Sequence, residues 1–469
     1  MRLFLLFVCS MWAFIPSFVF AQLSEIALPV LDIETVNHVM PTRTVVHAPE
    51  GCIGTTIADN NYVPGKMVLS LKGQTVYDTG EYEKGYSGMR IKIRGNSTGA
   101  SEEQHPYKIK LSKKFDLLGR DDTGFKHKDW LLLRMRVWNN TFVYEESEIL
   151  YIVGAIVSKI LDKEWTPEYG LVNVVLNGEY QGMYYLMEAV SKGDKRIPLA
   201  NTGFLVEHDT FWWNEDVYFK TDYQVYACGY TYKYPDSDDV TEEIQTEIKD
   251  YISTAEHAIY NGEDVSQYID ITSFAKWMLI HDFLGTEDLA GANRFMYRMD
   301  NNSLLCMGPT WDHDSSFKCK GWSNIHSSRW FYYPVLFQRE DFVTEYVRLW
   351  KNVRPTILSD IRLEFDKVEK KYGDVFDESI AIHQTRWPGE GRRSLHLQIN
   401  DVIDKLYERV KVIDDLMQQY DKMTDGIEEL YGNREEISGY ADLFGRKYQN
   451  NQKLNKGIYI YNGSKHIVN

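Results

Sequence analysis

Residues 287–314 of the chain read EDLAGANRFMYRMDNNSLLCMGPTWDHD, and a helix is predicted directly before them. The stretch begins with a loop in which Asp288 is followed five positions later by Asn293. A strand, a tight turn and a second strand are predicted next. The stretch ends on the acidic pair Asp312 and Asp314. Side chains with oxygen ligands therefore lie at both ends of a short hairpin.

This order of elements is that of the catalytic segment of protein kinases. There an Asp accepts the substrate hydroxyl proton, an Asn five positions later binds one magnesium ion, and an Asp after a small hairpin binds the metal that bridges the phosphates. Phosphoryl transfer requires neutralised charge on the phosphate oxygens, so hard oxygen ligands have to converge. Each pattern alone is common in a chain with 68 acidic residues. Their combined order is what indicates the chemistry.

Two features of the segment leave its chemistry open. Asp314 shares a strand face with Asp312 and is a candidate second metal ligand, with an ordinary turn residue as the alternative. No basic residue lies between Asp288 and Asn293, where many kinases have a Lys that steadies the transferred phosphate. The sequence therefore supports nucleotide binding more strongly than transfer to a peptide hydroxyl.

Two strands upstream carry basic side chains on one face, because alternate residues of a strand point the same way. A small polar turn lies between the strands, and its backbone N–H groups could approach phosphates as the Gly-rich loop of kinases does. The alternative is a charged face exposed to solvent, since neither GxGxxG nor a Walker pattern is present. The candidate phosphate-binding residues are Arg94, Gly95, Asn96, Ser97, Lys108 and Lys110.

Several motifs together resemble those of the spore-coat protein H (CotH) kinase family over roughly residues 86–420. They are the two basic motifs at 94–97 and 106–110, the motif at 176–184 with Glu188, the strand 204–209, and the residues Asp288, Asn293 and 311–314. The resemblance implies an α+β, atypical protein-kinase-like fold with a β-rich and then an α-rich lobe, preceded by a short β region. It also implies ATP and Mg²⁺ (or Mn²⁺) as cofactors, and phosphorylation of hydroxyls on secreted or surface proteins.

The resemblance assigns roles by position. Asp288 would be the catalytic base, and Asn293 and Asp312 would be magnesium ligands. Either Lys108 or Lys110 would contact the phosphates, and the choice between the two lysines stays open.

Glu188 would orient a lysine or line the nucleotide site, with a structural salt bridge as the alternative. The helix corresponding to kinase helix C would supply an acidic residue. The candidates for it are Glu145, Glu146 and Glu148.

The predicted domain spans residues 86–424, with an N-lobe at about 86–190 and a C-lobe at about 191–424. An N-terminal β region, 22–85, precedes it. The segment 425–469 is similar to the C-terminal sorting tails of proteins that use the type IX secretion route. A final β-hairpin packed on the domain is the alternative.

Local signals predict the other elements. Asn177 and Gly178 between two β-rich runs predict a hairpin over 171–187. Asp239 and Glu242 are placed like a helix cap and its partner. Helices are predicted over 244–259, 271–284, 342–357, 358–372 and 395–420.

Residues 1–21 have the pattern of a secretory signal peptide: Arg2, an apolar run and a small residue, Ala21, at the cut. An uncleaved anchor is the alternative, and no other stretch is long and apolar enough to span a membrane. The protein is therefore expected to be exported to the periplasm, cell surface or medium. The net charge of −16 disfavours nucleic acid as a partner.

Other function classes lack their motifs. The 12 histidines form no HExxH pattern, GxSxG is absent, and the cysteines after the signal show no metal-ligand spacing. The remaining alternative is a catalytically silent, kinase-like surface protein used for adhesion or coat assembly. The set Asp288, Asn293 and Asp312 argues against it, because a pure binding module does not need metal-type ligands in kinase order.

Overall fold

The computed structural model describes most of the chain between residues 28 and 421. The described residues are 23, 25, 28–101, 104–135, 149–223, 227–289, 291–318, 331–388, 393–421, 439–442, 447–449, 457–461 and 464–468. The predicted signal peptide and the candidates Glu145, Glu146 and Glu148 lie outside this part. Within it, no helix has the length and apolar character needed to cross a membrane.

Fifteen strands precede residue 310 in the described part of the chain. They are β1 (Val30–Thr35), β2 (Thr44–His47), β3 (Thr55–Ala58), β4 (Val63–Leu71), β5 (Gln74–Asp78), β6 (Met89–Ile93), β7 (Tyr107–Phe115), β8 (His127–Arg134), β9 (Tyr169–Leu176), β10 (Glu179–Glu188), β11 (Phe204–Asp209), β12 (Tyr218–Phe219), β13 (Gly229–Tyr234), β14 (Arg294–Arg298) and β15 (Leu305–Met307).

Seven of these strands form a closed barrel in the order β1-β9-β10-β8-β7-β6-β4. The barrel closes because β1 pairs antiparallel with β4 on one side and parallel with β9 on the other. In β6 buried and half-buried residues alternate, so one side chain in two points into the barrel. Its interior is apolar, with Leu31, Met67, Ile91, Ile109 and Trp130 all fully buried.

The fold is α+β, as predicted. The predicted two-lobed kinase arrangement is wrong, because strands from residues 30 to 188 form this closed barrel. The region 22–85 does not precede a lobe as a separate unit, since it supplies β1 and β4. Closure leaves neither strand with an unpaired barrel edge, which is the physical reason for the difference. The predicted hairpin is confirmed as β9 and β10, with Asn177 and Gly178 both at positive φ in the turn.

A second sheet follows the barrel in the chain, with the order β12-β13-β11-β14-β15 and antiparallel pairing throughout. Its strands β14 and β15 are the hairpin predicted after Asn293. The loop after β11 contacts the small β2–β3 sheet, since Trp213 Nε1 donates to Ile53 O (3.2 Å) and Asn214 Nδ2 donates to Ile57 O (3.0 Å).

The helices are α1 (Ser97–Ala100), α2 (Leu150–Ile160), α3 (Glu242–Tyr260), α4 (Ile271–Leu284), α5 (Tyr333–Leu336), α6 (Glu340–Val353), α7 (Ile357–Arg386) and α8 (Leu395–Asp421). The predicted helix at 271–284 is confirmed, and it ends at Gly285, whose φ is +60°. The cap of α3 is Thr241 rather than Asp239, because Thr241 Oγ1 accepts the Ile244 N–H (3.3 Å). The helix predicted at 342–357 corresponds to α6, and the one predicted at 358–372 corresponds to α7, which extends to Arg386.

The helices pack against one another and against the barrel. The helix α4 packs against α6 and α8, and α2 packs against α4 and α7, while α7 also contacts β10 of the barrel. Residues 152–158 of α2 are all buried. The helix α2 therefore lies in the middle of the molecule, between the barrel and the helical layer.

Near the C-terminus, β16 (Gly439–Asp442), β17 (Lys447–Gln449), β18 (Gly457–Tyr461) and β19 (Ser464–Val468) form an antiparallel sheet in the order β17-β16-β18-β19. Strands were predicted in this segment. Its role as a sorting tail stays a prediction.

Candidate active site

A buried arginine stabilises the loop between α4 and β14. Asn293 adopts a left-handed conformation with φ +66°, which turns the chain into β14. The next residue, Arg294, is fully buried and its Nη1 donates to Leu289 O (2.7 Å), closing the loop on itself. The Thr210 N–H donates to Gly291 O (2.7 Å), which ties the loop to the end of β11.

The acidic segment, residues 310–317 with Asp312 and Asp314, runs beside this loop. The Asp288 N–H donates to Ser315 Oγ (3.0 Å), and the Phe317 N–H donates to Leu284 O (2.8 Å). Asp312 is in the left-handed region (φ +60°, ψ +66°) and precedes a short 3₁₀ turn over 313–315. These contacts bring the two ends of the predicted hairpin together.

Asp312 is the centre of the arrangement. Its Oδ2 accepts a hydrogen bond from Asn293 Nδ2 (3.3 Å), and its Oδ1 accepts one from the Tyr151 hydroxyl (3.0 Å). Asp312 is half-buried, whereas Asn293 is 8% exposed. The structure thus brings together Asn293 and Asp312, which the sequence places 19 residues apart.

Three carboxylates share this part of the molecule. Burial raises the pKa of Asp312, and the nearby Asp288 carboxylate adds to the rise. Burial also raises the pKa of Asp314, with Asp312 and Asp288 contributing. The side chain of Asp288 is exposed, and its pKa is raised by the loss of water on its protein-facing side. Burial is the largest cause of the raised pKa in all three carboxyl groups, so their charged forms are costly in the absence of a cation.

Two basic side chains, Arg94 and Lys318, lower the pKa values of the carboxyl groups. Against the rise caused by burial, the Arg94 guanidinium lowers the pKa of Asp312. Lys318 does the same for Asp288 and for Asp314. Its Nζ lies 4.0 Å from Glu287 Oε2. Arg94, from the basic motif, and Lys318 thus supply positive charge that the loop 288–293 lacks.

The strands β6 and β7 are neighbours in the barrel, and their basic side chains lie on its outer face. Lys92 on β6 is paired in register with Lys108 on β7, and Arg90 with Lys110. Burial lowers the pKa of Lys92, and the Lys108 ammonium adds to the effect. Lys108 Nζ lies 3.3 Å from Asp129 Oδ1. The structure does not distinguish Lys108 from Lys110 as the phosphate contact, because both are half-buried on this face.

The polar turn 95–97 links these strands through the short helix α1. Gly95 has φ +90°, and a Cβ there would overlap the Thr98 hydroxyl, so the turn requires glycine. Asn96 Oδ1 accepts from Thr56 Oγ1 (2.7 Å). Ser97 is exposed. Of the three, Ser97 has the side chain most accessible to a ligand.

Glu188 is fully buried in a cluster of arginines. Its Oε1 accepts from Arg120 Nη2 (2.7 Å) and lies 3.8 Å from Arg196 Nε, and its Oε2 accepts from the Glu168 N–H (3.0 Å). These contacts support the alternative of a structural salt bridge. A role for Glu188 at the phosphates stays a prediction, and both of its oxygens are already engaged with protein.

The residues around Asp312 fit a magnesium ion in their chemistry. Asp312, Asp314 and Asn293 offer hard oxygen ligands, and a cation would stabilise the charged forms of the two buried carboxyl groups. In the described part of the chain no three His, Cys, Asp or Glu side chains are gathered as a metal cage. Magnesium commonly binds one or two carboxylates together with substrate phosphates, so such a cage is not needed.

Sequence reasoning missed three residues of this site. Tyr151 lies near the start of α2, and a buried Tyr hydroxyl usually finds a hydrogen-bond partner. Arg294 is a charged residue in a buried strand, which also indicates a specific contact. Lys318, four residues after Asp314, has no local pattern that marks it.

The comparison with known families agrees with the geometry. The family model described as CotH kinase protein matches residues 91–423, which confirms the resemblance predicted for roughly 86–420. None of the curated proteins matches the chain significantly. The matched region contains the barrel from β6 onward, the second sheet and the acidic segment, and it covers well over half of the chain. The chain belongs to the CotH kinase family.

Proposed function

We propose that the protein is an exported kinase-like phosphotransferase. It binds ATP with Mg²⁺ or Mn²⁺ and transfers the γ-phosphate to Ser, Thr or other hydroxyls of secreted or surface proteins. Its family membership supports the kinase-like part of this proposal. Export rests on the signal peptide predicted at residues 1–21.

One observation carries the chemical part. Asn293 and Asp312 are in contact (3.3 Å), and Asp288 lies close enough to raise the pKa of both Asp312 and Asp314. The chain thus gathers a candidate base and candidate metal ligands from two segments. Arg94 and Lys318 face the same group.

In the proposed transfer, the acceptor hydroxyl oxygen forms a bond to the γ-phosphorus of ATP. The bond from that phosphorus to the oxygen bridging to the β-phosphate breaks, and ADP leaves with the bonding electron pair. The hydroxyl proton passes to the Asp288 carboxylate. Asp288 is suited to this role because its pKa is raised and its backbone N–H is fixed on Ser315 Oγ (3.0 Å).

The other residues bind and orient. Asn293, Asp312 and Asp314 would hold the metal ion, which when bound neutralises charge on the phosphate oxygens. Arg94 and Lys318 are placed to balance the charge that remains. Lys108 or Lys110 would reach the phosphates from the barrel side.

A transfer assay with γ-labelled ATP tests the proposal, using wild type, Asp288→Asn and Glu287→Gln. We expect Asp288→Asn to lower phosphate transfer by about 100-fold or more while sparing ATP binding, because the base is lost. Glu287→Gln is the matched control, since it removes an equal charge from the neighbouring, exposed residue. It should stay within about threefold of wild type.

Undiminished transfer by Asp288→Asn would contradict the assignment of the base. A wild-type protein that transfers no phosphate to itself or to exported proteins would favour the catalytically silent surface protein instead.

A further inference from the structure

We infer that Tyr151 is a positioning residue that orients the Asp312 carboxylate for metal, and that the docking of α2 onto residues 310–313 sets where this carboxylate lies. The inference rests on the proposed function, since it assumes that Asp312 binds metal. It adds a residue outside the kinase-like motifs to the site.

The hydroxyl of Tyr151 fixes one side of Asp312. It donates to Oδ1 (3.0 Å), while Asn293 Nδ2 donates to Oδ2 (3.3 Å), so both oxygens have a defined donor. Each oxygen keeps a lone pair for a cation. The Tyr151 ring is itself held edge-on against Tyr185 of the barrel, with 5.3 Å between the ring centroids. The rotation of the carboxylate is therefore restrained from both sides.

The same helix face makes two further contacts with the acidic segment. A Cβ on Gly154 would overlap the His313 ring, so the ring packs directly on the helix backbone. One turn later, Ser158 Oγ and Thr310 Oγ1 are hydrogen-bonded (2.6 Å). Residues 151, 154 and 158 share a face because of the helical period. Three contacts along one face therefore dock α2 on the segment that carries Asp312.

Removal of the hydroxyl should loosen the ligand without unfolding the protein. Residues that orient metal ligands typically change metal affinity by about 10-fold to 100-fold when they are lost. We expect Tyr151→Phe to weaken Mn²⁺ binding by about 10-fold. Phosphate transfer should need correspondingly more metal for half-maximal rate, with a smaller change of the rate at saturating metal.

The experiment titrates Mn²⁺ into the full chain in the presence of ATP, with free Mn²⁺ measured by electron paramagnetic resonance. Tyr180→Phe is the matched control, because its hydroxyl also donates to a side chain, Asn173 Oδ1 (2.7 Å), but not at the acidic group. Melting temperatures in EDTA report whether each variant is folded. We expect both variants to have the melting temperature of wild type in EDTA. Only Tyr151→Phe should lose Mn²⁺ affinity.

The outcomes separate the two claims. Equal Mn²⁺ affinities of wild type and Tyr151→Phe would overturn the role of Tyr151 alone. An equal loss in Tyr180→Phe would also overturn it, since the effect would then be a general one. If wild-type protein bound no Mn²⁺ with ATP, the proposed function would fail and this inference would fail with it.

Discussion

At the scale of single residues, the loop between α4 and β14 depends on a buried charge. The Arg294 guanidinium donates to Leu289 O (2.7 Å) and contacts His208 Nδ1 (3.0 Å), and it stacks over Phe331 with 5.0 Å to the ring centroid. A buried guanidinium is costly unless its donors are satisfied. Its retention here is explained by the loop that it closes between Asp288 and Asn293.

Replacement of this residue gives a residue-scale prediction. Arg294→Met should lower the free energy of unfolding by about 2–4 kcal/mol, because buried acceptors are left without a donor. Arg298→Met, in the same strand but half-buried, is the control, and it should lower the free energy of unfolding by less than about 1.5 kcal/mol. Urea denaturation measures both values. Equal costs for the two variants would contradict the special role of Arg294.

Sequence alone predicted which polar residues meet but not what holds them. Asp288, Asn293 and Asp312 were predicted from their order along the chain, because a short hairpin brings its two ends together. Tyr151 could not be predicted, since it comes from a helix more than 130 residues earlier. Only a packed structure shows that such a hydroxyl reaches Asp312.

At the scale of elements, α2 and the acidic segment are packed too closely for a side chain at position 154. A Cβ on Gly154 would overlap the Cγ, Cδ2 and Nε2 atoms of the His313 ring. His313 is 4% exposed and its ring lies 5.9 Å from that of His281, so it has little room to move. The glycine thus sets the distance between the helix and the segment that carries Asp312.

Gly154→Ala tests this packing. Alanine favours a helix by about 1 kcal/mol over glycine, but overpacking typically costs about 1–3 kcal/mol. We expect a net loss of stability in urea denaturation. In a His313→Ala background the same change should be neutral or stabilising, since the ring is gone. A stabilised Gly154→Ala single variant would contradict the close packing.

The elements differ in how well they were predicted. The hairpin at Asn177 and Gly178 was predicted because a two-residue turn is a local signal. The cap of α3 was placed two residues early, at Asp239, because Thr241 competes for the same role. The helices predicted at 342–357 and 358–372 are shifted, and the second extends to Arg386, since helix ends depend on packing.

At the scale of the whole molecule, barrel closure is the feature that sequence patterns could not show. Alternating burial predicts strands, but it does not say that β1 pairs with β4 and β9 at once. The pairing of β1 with β9 joins residues about 140 positions apart. The region 22–85 was therefore expected to be a separate unit, whereas it supplies the barrel strands β1 and β4.

Basic side chains are concentrated locally in a protein that is acidic as a whole. The net charge is −16, yet Arg90, Lys92, Lys108 and Lys110 share one face of the barrel. This local concentration lies on the strands that lead to Arg94, which faces the carboxylates. Under the proposed function, nucleotide binding would rest on this local charge, and we expect it to depend on metal.

The most direct test is a calorimetric titration of the purified protein with ATP, with and without Mg²⁺ or Mn²⁺, beside the Asp312→Ala variant. We predict metal-dependent ATP binding by wild type and loss of the metal dependence in Asp312→Ala. Absence of binding at millimolar nucleotide, or equal ATP affinity of the two proteins with metal present, would contradict the proposed site.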